Sequence, residues 1–304
     1  MLGAAIVVFL GVVPWEALLE HVDFGTIFLL LGMMIIVNTA RGSGLFEFIA
    51  IRTAKLANGS PIRVLVLFAL VTAVVSAFLD NVTTVLLLTP MLLYAARVMK
   101  LNPVPFLVTE IFASNIGGAA TLIGDPPNIM IASSAGLTFN EFLIHLAPIM
   151  VVDMAILLLM MYLIYGRSMK VNADERREMV RTLNNLDERA AITDRALFRK
   201  SVTVIAFVVL LFFIHDRIGE ILHIFLPFVD PAMGLEPAEV ALIGAAILLF
   251  WSRQPPEEIF EKIEWPALFF FGGLFVVVGA LVETGVIATV AGFVVESVHS
   301  TGEA

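Results

Sequence analysis

Long apolar runs alternate with short charged clusters along this chain. Ile27–Val37, Ile149–Ile164, Val202–Ile214 and Leu268–Val282 are each almost free of charge. A run of about 20 apolar residues is what a bilayer core asks of a helix. The pattern predicts membrane helices over 24–40, 141–166, 201–214, 238–252 and 265–282. Two further apolar stretches, 64–98 and 103–135, carry polar residues or helix breakers in their middle. The first predicts a re-entrant hairpin with apolar arms 64–75 and 85–93, and the second a broken helix.

Composition strengthens the membrane reading. The 304 residues are 60% apolar and 15% charged, with a mean hydropathy of +0.98, whereas soluble domains carry about 25% charged residues. The fold class expected is an all-α integral membrane protein, a polytopic helical bundle whose first partner is the lipid bilayer. A net charge of −9 argues against nucleic acid as a partner. The absence of cysteine excludes disulfides and thiolate metal sites. Met1–Val13 has no basic residue ahead of its apolar run and no small-residue cleavage site, so it does not read as a cleavable signal.

The basic residues suggest an orientation. Arg167, Lys170, Arg176, Arg177, Arg181, Arg189, Arg195, Arg199 and Lys200 cluster in one segment, and the positive-inside rule places that segment in the cytoplasm of an inner-membrane protein. It reads as a surface helix and linker, 167–200. Arg41, Arg52, Lys55, Arg63, Arg97 and Lys100 should share that side, which lays 43–57 along the surface and returns 64–98 to the face it entered from. The loop 215–237, with Arg217 as its only basic residue, falls outside, and His215 and His223 read there as solvated.

Offset by 241 residues, the chain matches itself without gaps. Gly3-Ala4-Ala5-Ile6 falls on Gly244-Ala245-Ala246-Ile247, and Phe9, Pro14, Glu16, Phe28, Gly32, Val37, Gly44 and Ala50 recur in the same register. An odd number of crossings separates the copies, so the repeats are inverted, as in many secondary transporters. The domains expected are a first repeat, 1–166, the linker 167–200, and a second repeat, 201–304. The copy of Asp80 would lie beyond Ala304, and that of helix 201–214 before Met1, so both repeats are expected to be incomplete.

Two motifs carry chemistry. Ser76-Ala77-Phe78-Leu79-Asp80-Asn81-Val82-Thr83-Thr84 forms the hairpin tip. An ionised group at such depth is costly unless paired, solvated or bound to a cation. Asp80, Asn81, Thr83 and Thr84 are therefore candidate ion ligands, beside the simpler reading in which Asp80 and Thr83 cap the tip. Ser114-Asn115-Ile116-Gly117-Gly118-Ala119-Ala120-Thr121-Leu122-Ile123-Gly124-Asp125-Pro126-Pro127-Asn128 must interrupt its helix, because three glycines free the backbone and two prolines remove donors. The half-helix ends so created attract ions of either sign. Glu110 lies one turn before Ser114 and is a candidate proton relay. Asp153, within helix 141–166, reads as a protonated partner in a helix–helix hydrogen bond, with a proton carrier as the alternative, and His145 is given no role.

These two motifs resemble the arsenite permease, sodium–proton antiporter and melanocyte P-protein group of the ion transporter superfamily, which also takes in citrate and dicarboxylate carriers. The P-protein-like branch is nearest. The resemblance implies a mobile transport domain against a scaffold, and a homodimer. It places Asp80, Asn81 and Thr83 at the first hairpin tip, and Ser114, Asn115, Thr121, Asp125 and Asn128 along the broken helix. Gly117 and Gly118 belong to the same stretch, and Na+ is expected at Asp80, Asn81 and Asn115. No cofactor beyond a coupling Na+ or H+ is expected. The function expected is ion-coupled secondary transport of a small ion, by Na+/H+ exchange or with an anion such as arsenite as substrate. A carboxylate carrier and a passive channel are the alternatives. An intramembrane aspartyl protease using Asp80 and Asp125 is disfavoured, because Leu122-Ile123-Gly124-Asp125 lacks the first glycine of the pattern such enzymes carry.

Overall fold

A computed structural model describes residues 1–11, 14–98, 100–169, 171–225, 230 and 234–292. Fifteen α-helices run through them: α1 (Leu2–Phe9), α2 (Trp15–Glu20), α3 (Phe24–Arg41), α4 (Leu45–Leu56), α5 (Pro61–Ser76), α6 (Asn81–Val98), α7 (Val104–Ala119), α8 (Pro126–Ala135), α9 (Phe139–Tyr165), α10 (Ala173–Asn184), α11 (Arg195–Ile214), α12 (Ile218–Phe225), α13 (Pro237–Ser252), α14 (Pro256–Phe260) and α15 (Trp265–Glu283). Five of them, α3, α6, α9, α11 and α15, are long and apolar enough to cross a membrane. The protein is an all-helical, multi-pass membrane protein. On α9, Ile144, Val151 and Leu163 are each more than two-thirds exposed, as a face meeting lipid tails would be.

Helix boundaries follow local caps more than hydropathy. The helix expected from residue 201 begins at Arg195, because the Asp194 carboxylate accepts the amides of Ala196 and Leu197 at 2.8 and 3.0 Å. The amides of Leu197 and then Ala196 hold that carboxyl below its ordinary range. The linker does contain a surface helix: α10 is closed by a capping box between Asn172 and Glu175 and buries only Met179 and Leu183. Helix α14 begins 241 residues after α2, and α15 begins 241 after α3, the offset of the sequence match.

Two apolar clusters divide the molecule. One gathers α3, α11 and α13 with Leu79, Leu122, Ile123 and Phe139. The other gathers α4 to α7 with α9 and α10. The corner between α3 and α4 joins them. There Gly44 has φ +81°, and a Cβ on it would lie 2.9 Å from the carbonyl carbon of Ala191 and closer still to its oxygen, so glycine alone fits. The linker braces this corner. The Thr193 amide donates to Ser43 O at 3.1 Å and its hydroxyl to Gly42 O at 2.8 Å. Glu188 pairs with Arg52 and Lys55 at 3.7 and 3.9 Å.

Four expectations need correction. The arms of the hairpin are longer and its tip shorter than the apolar runs suggested. The turn is confined to 77–80, and Asn81, Thr83 and Thr84 lie in the first turn of α6, because Asp80 caps that helix. His215 is not solvated. It is 2% exposed, its Nδ1 lies 2.9 Å from Phe212 O, and its ring meets the edge of Phe139. Asp153 is half-buried and makes no hydrogen bond among the described residues, so the expected helix–helix bond is not formed. His223 is likewise half-buried rather than fully exposed, and the expected loop 215–237 holds a 3-10 turn and α12, with 226–229 and 231–233 outside the described residues.

Candidate functional site

Four helix ends meet where the hairpin tip touches the break. Helices α5 and α7 end there, and α6 and α8 begin there. Asp80 enters because residues 77–80 turn the chain. Its Oδ1 accepts the Thr83 amide at 2.8 Å, and its carboxylate makes no other hydrogen bond among the described residues. Both sequence readings of Asp80 therefore coexist: one oxygen caps α6, and the other is left to a ligand. Asp125 stands in the same relation to α8, immediately before Pro126, and its side chain makes no hydrogen bond among the described residues. The two carboxylates lie close enough to feel each other's charge. Each sits at the positive end of a helix, where the macrodipole favours an anion.

Small residues and amides weld the two motifs together. Ser76 Oγ donates to Ser114 O at 2.7 Å, and Asn81 Nδ2 donates to Asn115 Oδ1 at 3.1 Å. Thr121 donates its hydroxyl to Ala77 O and accepts the Gly124 and Ile123 amides at 3.1 and 3.3 Å. A Cβ on Gly117 would lie 2.5 Å from Ala73 Cα, and one on Gly124 would lie 2.6 Å from Ser76 O. Gly118 packs directly on Gly124. Asn128 donates its amide to the carbonyls of Gly118 and Thr121 at 3.0 and 2.9 Å. Thr121, Asn128, Gly117 and Gly118 thus hold the break in shape, and their polar atoms are largely engaged in doing so.

A narrow cleft opens beside the tip. Leu29, Met33, Asn38, Phe78, Asp80, Thr83, Ile123 and Glu264 are among its lining residues, none of them Lys or Arg. Of the other predicted ligands, Asn81, Thr84, Ser114, Asn115 and Asp125 do not line it. Thr84 is fully buried, its hydroxyl without a partner among the described residues, and Ser114 Oγ donates to Ile111 O at 2.9 Å. Glu110 lies deeper, bonded to Thr89.

Sequence reasoning missed Glu264. It sits just before α15, half-buried, and its Oε1 accepts the Thr83 hydroxyl at 3.0 Å. That bond ties the tip to a residue 181 positions away. Nearby, Asn38 Nδ2 donates to Lys262 O at 3.0 Å and fixes the turn carrying Glu264 against α3. A second cleft, lined by Asp23, Thr26, Leu29, Leu122, Ile129 and Glu236, lies towards the other end of α3. Leu29 borders both clefts, and Leu122 and Ile123 of the break each face one of them.

Discontinuous helices pinned end to end inside an apolar bundle, with acidic clefts beside them, are the arrangement found in membrane transport proteins. The chain belongs to the citrate transporter family, which it matches over residues 1–302. It is 47% identical over 270 residues to an uncharacterized transporter of Mycobacterium tuberculosis, covering 89% of this chain and 58% of that relative. It is 44% identical over 289 residues to the 46 kDa membrane protein of Mycobacterium leprae, covering 94% and 63%. The human P protein is 29% identical over 327 aligned residues, 86% of this chain and 38% of its own length. The chain thus spans roughly three-fifths of the length of the mycobacterial relatives it matches.

Proposed function

We propose that this chain is part of an ion-coupled secondary transporter whose cargo site is the junction of hairpin tip and broken helix. Asp80 is the principal cation ligand, with Asn81 and Asn115 beside it and Asp125 as second carboxylate, and Na+ or H+ is the coupling ion. The observation that carries this reading is that Asp80 and Glu264 line one cleft without a basic side chain, with Asp125 close enough to Asp80 to feel its charge. Uncompensated carboxylates within a membrane attract cations or protons. The two clefts meeting at Leu29, with Leu122 and Ile123 between them, support alternating access, and the division into two apolar clusters supports an elevator-type motion of one against the other. The hairpin is re-entrant in this reading, the segment 167–200 is cytoplasmic, and the assembly is a homodimer in the inner membrane.

The second reading is a carboxylate carrier, favoured by the description of the family and by the α6 and α8 N-termini, which suit an anion. Flux in proteoliposomes under imposed Na+ or pH gradients separates the two. Asp80→Asn keeps an efficient capping side chain and removes the charge, so the variant should remain folded and lose gradient-driven transport. Undiminished flux in Asp80→Asn would remove Asp80 from the mechanism. Gradient-driven citrate uptake, with no Na+/H+ exchange in its absence, would favour the carboxylate carrier.

A further inference from the structure

Away from the cleft, α5, α6 and α7 pack on one another, and their shared interior is not uniformly apolar. Glu110 of α7 is 1% exposed. The Thr89 hydroxyl donates to its Oε2 at 2.9 Å, while Oε1 has no partner among the described residues. Thr72 of α5 and Thr84 of α6 are fully buried, and their hydroxyls are also unpartnered. Threonines elsewhere in the bundle avoid this. Thr39, Thr53 and Thr109 each return the hydroxyl to the carbonyl four residues back.

The seam where α5 and α6 pack on α7 joins the level of Glu110 to that of the tip, and the unpartnered hydroxyls of Thr72 and Thr84 fall at or between those levels. On α6, Thr84 lies between Asn81, bonded to Asn115, and Thr89, bonded to Glu110. On α5, Thr72 lies one turn before Ser76, which is bonded to Ser114 O. The seam therefore runs along α7 from Glu110 to the level of Ser114 and Asn115, beside the tip. No cation balances it. The only charged residue of α5 is Arg63 in its first turn, and that of α6 is Arg97 in its last, with Tyr94 nearby. Helix α9, packed on α7, brings Glu141 and His145 near its start, Asp153 midway, and Tyr162 and Tyr165 at its end. Glu110 forms no ion pair with any of them. An ionised carboxylate so placed, among Leu88, Leu92 and Phe106, would be an uncompensated buried charge, which costs several kcal/mol.

We propose that Glu110 is a proton-binding site separate from the cargo cleft, with Thr84 and Thr72 as the path by which its proton reaches the tip. Loading forms an O–H bond at Oε1 and neutralises the carboxylate. Unloading breaks that bond, the proton passes to hydroxyls or water along the seam, and Thr89 goes on donating to Oε2. Its use in coupling rests on the transport reading above, but its existence does not.

The test is infrared difference spectroscopy of the purified full-length protein in lipid, between acidic and alkaline pH, in wild type, Glu110→Gln and Thr89→Val. Wild type should show the C=O stretch of a protonated carboxylic acid at pH values where exposed carboxylates are ionised. Glu110→Gln should remove it, and Thr89→Val should move it to higher frequency, because the carbonyl loses its one hydrogen bond. A band unchanged in Glu110→Gln overturns the proposal. Should that variant fail to fold, an unshifted band in Thr89→Val overturns it alone. The band is read without transport, so the outcome stands apart from the flux of Asp80→Asn.

Discussion

Gly117→Ala is the sharpest test of how the hairpin and the broken helix are joined. The added Cβ would lie 2.5 Å from Ala73 Cα and 2.6 Å from its carbonyl carbon. Carbon atoms prefer about 3.5–4.0 Å, and both obstacles are backbone, so no side chain can swing aside. Helices α5 and α7 must part by about 1 Å. The same displacement would stretch the 2.7 Å bond from Ser76 to Ser114 O towards 3.6 Å, where it ceases to be a hydrogen bond. Overpacking costs about 1–3 kcal/mol, and the lost bond about 0.5–1.5 kcal/mol. Alanine in place of glycine within a helix returns up to about 1 kcal/mol. The net expected is a loss of about 1–3 kcal/mol. Thermal unfolding in detergent, monitored by circular dichroism, reads this as a fall of several degrees. Gly272→Ala is the control, because its Cβ would meet only Ile27 Cδ1, at 4.0 Å, and it should be neutral or stabilising. A Gly117→Ala variant as stable as wild type would refute the close approach of α5 and α7.

Two further outcomes are expected. Asp153→Leu should raise thermal stability, because the carboxylate has no partner among the described residues and stands on a helix whose neighbours Val151 and Val152 are 69% and 57% exposed, while an acid at mid-membrane costs about 2.5–3.5 kcal/mol. A drop of more than about 1 kcal/mol, well outside the usual surface effect, would reveal a partner. The cap of α11 should depend on pH in a defined sense. The Asp194 carboxyl is held below its ordinary range by the amides of Leu197 and Ala196, so its contribution is complete above the ordinary carboxylate range and fades as pH falls through the depressed value. Hydrogen exchange of those two amides, corrected for intrinsic rate, should lose protection only in acid, and loss beginning near neutrality would contradict the cap.

Much of the fold was legible because the signals are local. Hydropathy located α3, α9, α13 and α15 to within two residues at either end, and the prolines and glycines between Gly117 and Pro127 placed the break. The start of α11 was less so, since the polar turn from Arg195 to Lys200 hides helix behind charge until Asp194 is recognised as its cap. The polar interruptions at Asp80–Thr84 and Ser114–Asn128 made a candidate site legible, because both break apolar stretches. The division of labour within it was not. Thr121 and Asn128 resemble ligands in sequence, but their donors hold backbone carbonyls, which only the folded break reveals. Glu264 had no motif, and its bond to Thr83 joins distant segments. His215 read as a loop residue until Phe139 and Phe212 closed over it.

The braced corner at Gly42–Gly44 sets a mechanical threshold. It is the covalent joint between α3, which belongs to one apolar cluster, and α4, whose Leu45 and Phe46 stay in that cluster while its Ala50 and Ala54 lie in the other. Thr193 clasps it through the carbonyls of Gly42 and Ser43. Flexing the joint far enough to free both bonds would cost about 1–3 kcal/mol, at about 0.5–1.5 each. One elementary charge crossing 100 mV releases about 2.3 kcal/mol. If the proposed ion-coupled motion flexes this corner, the clasp is stiff enough to hold the clusters in register at rest and weak enough for the membrane voltage acting on a single ion to undo.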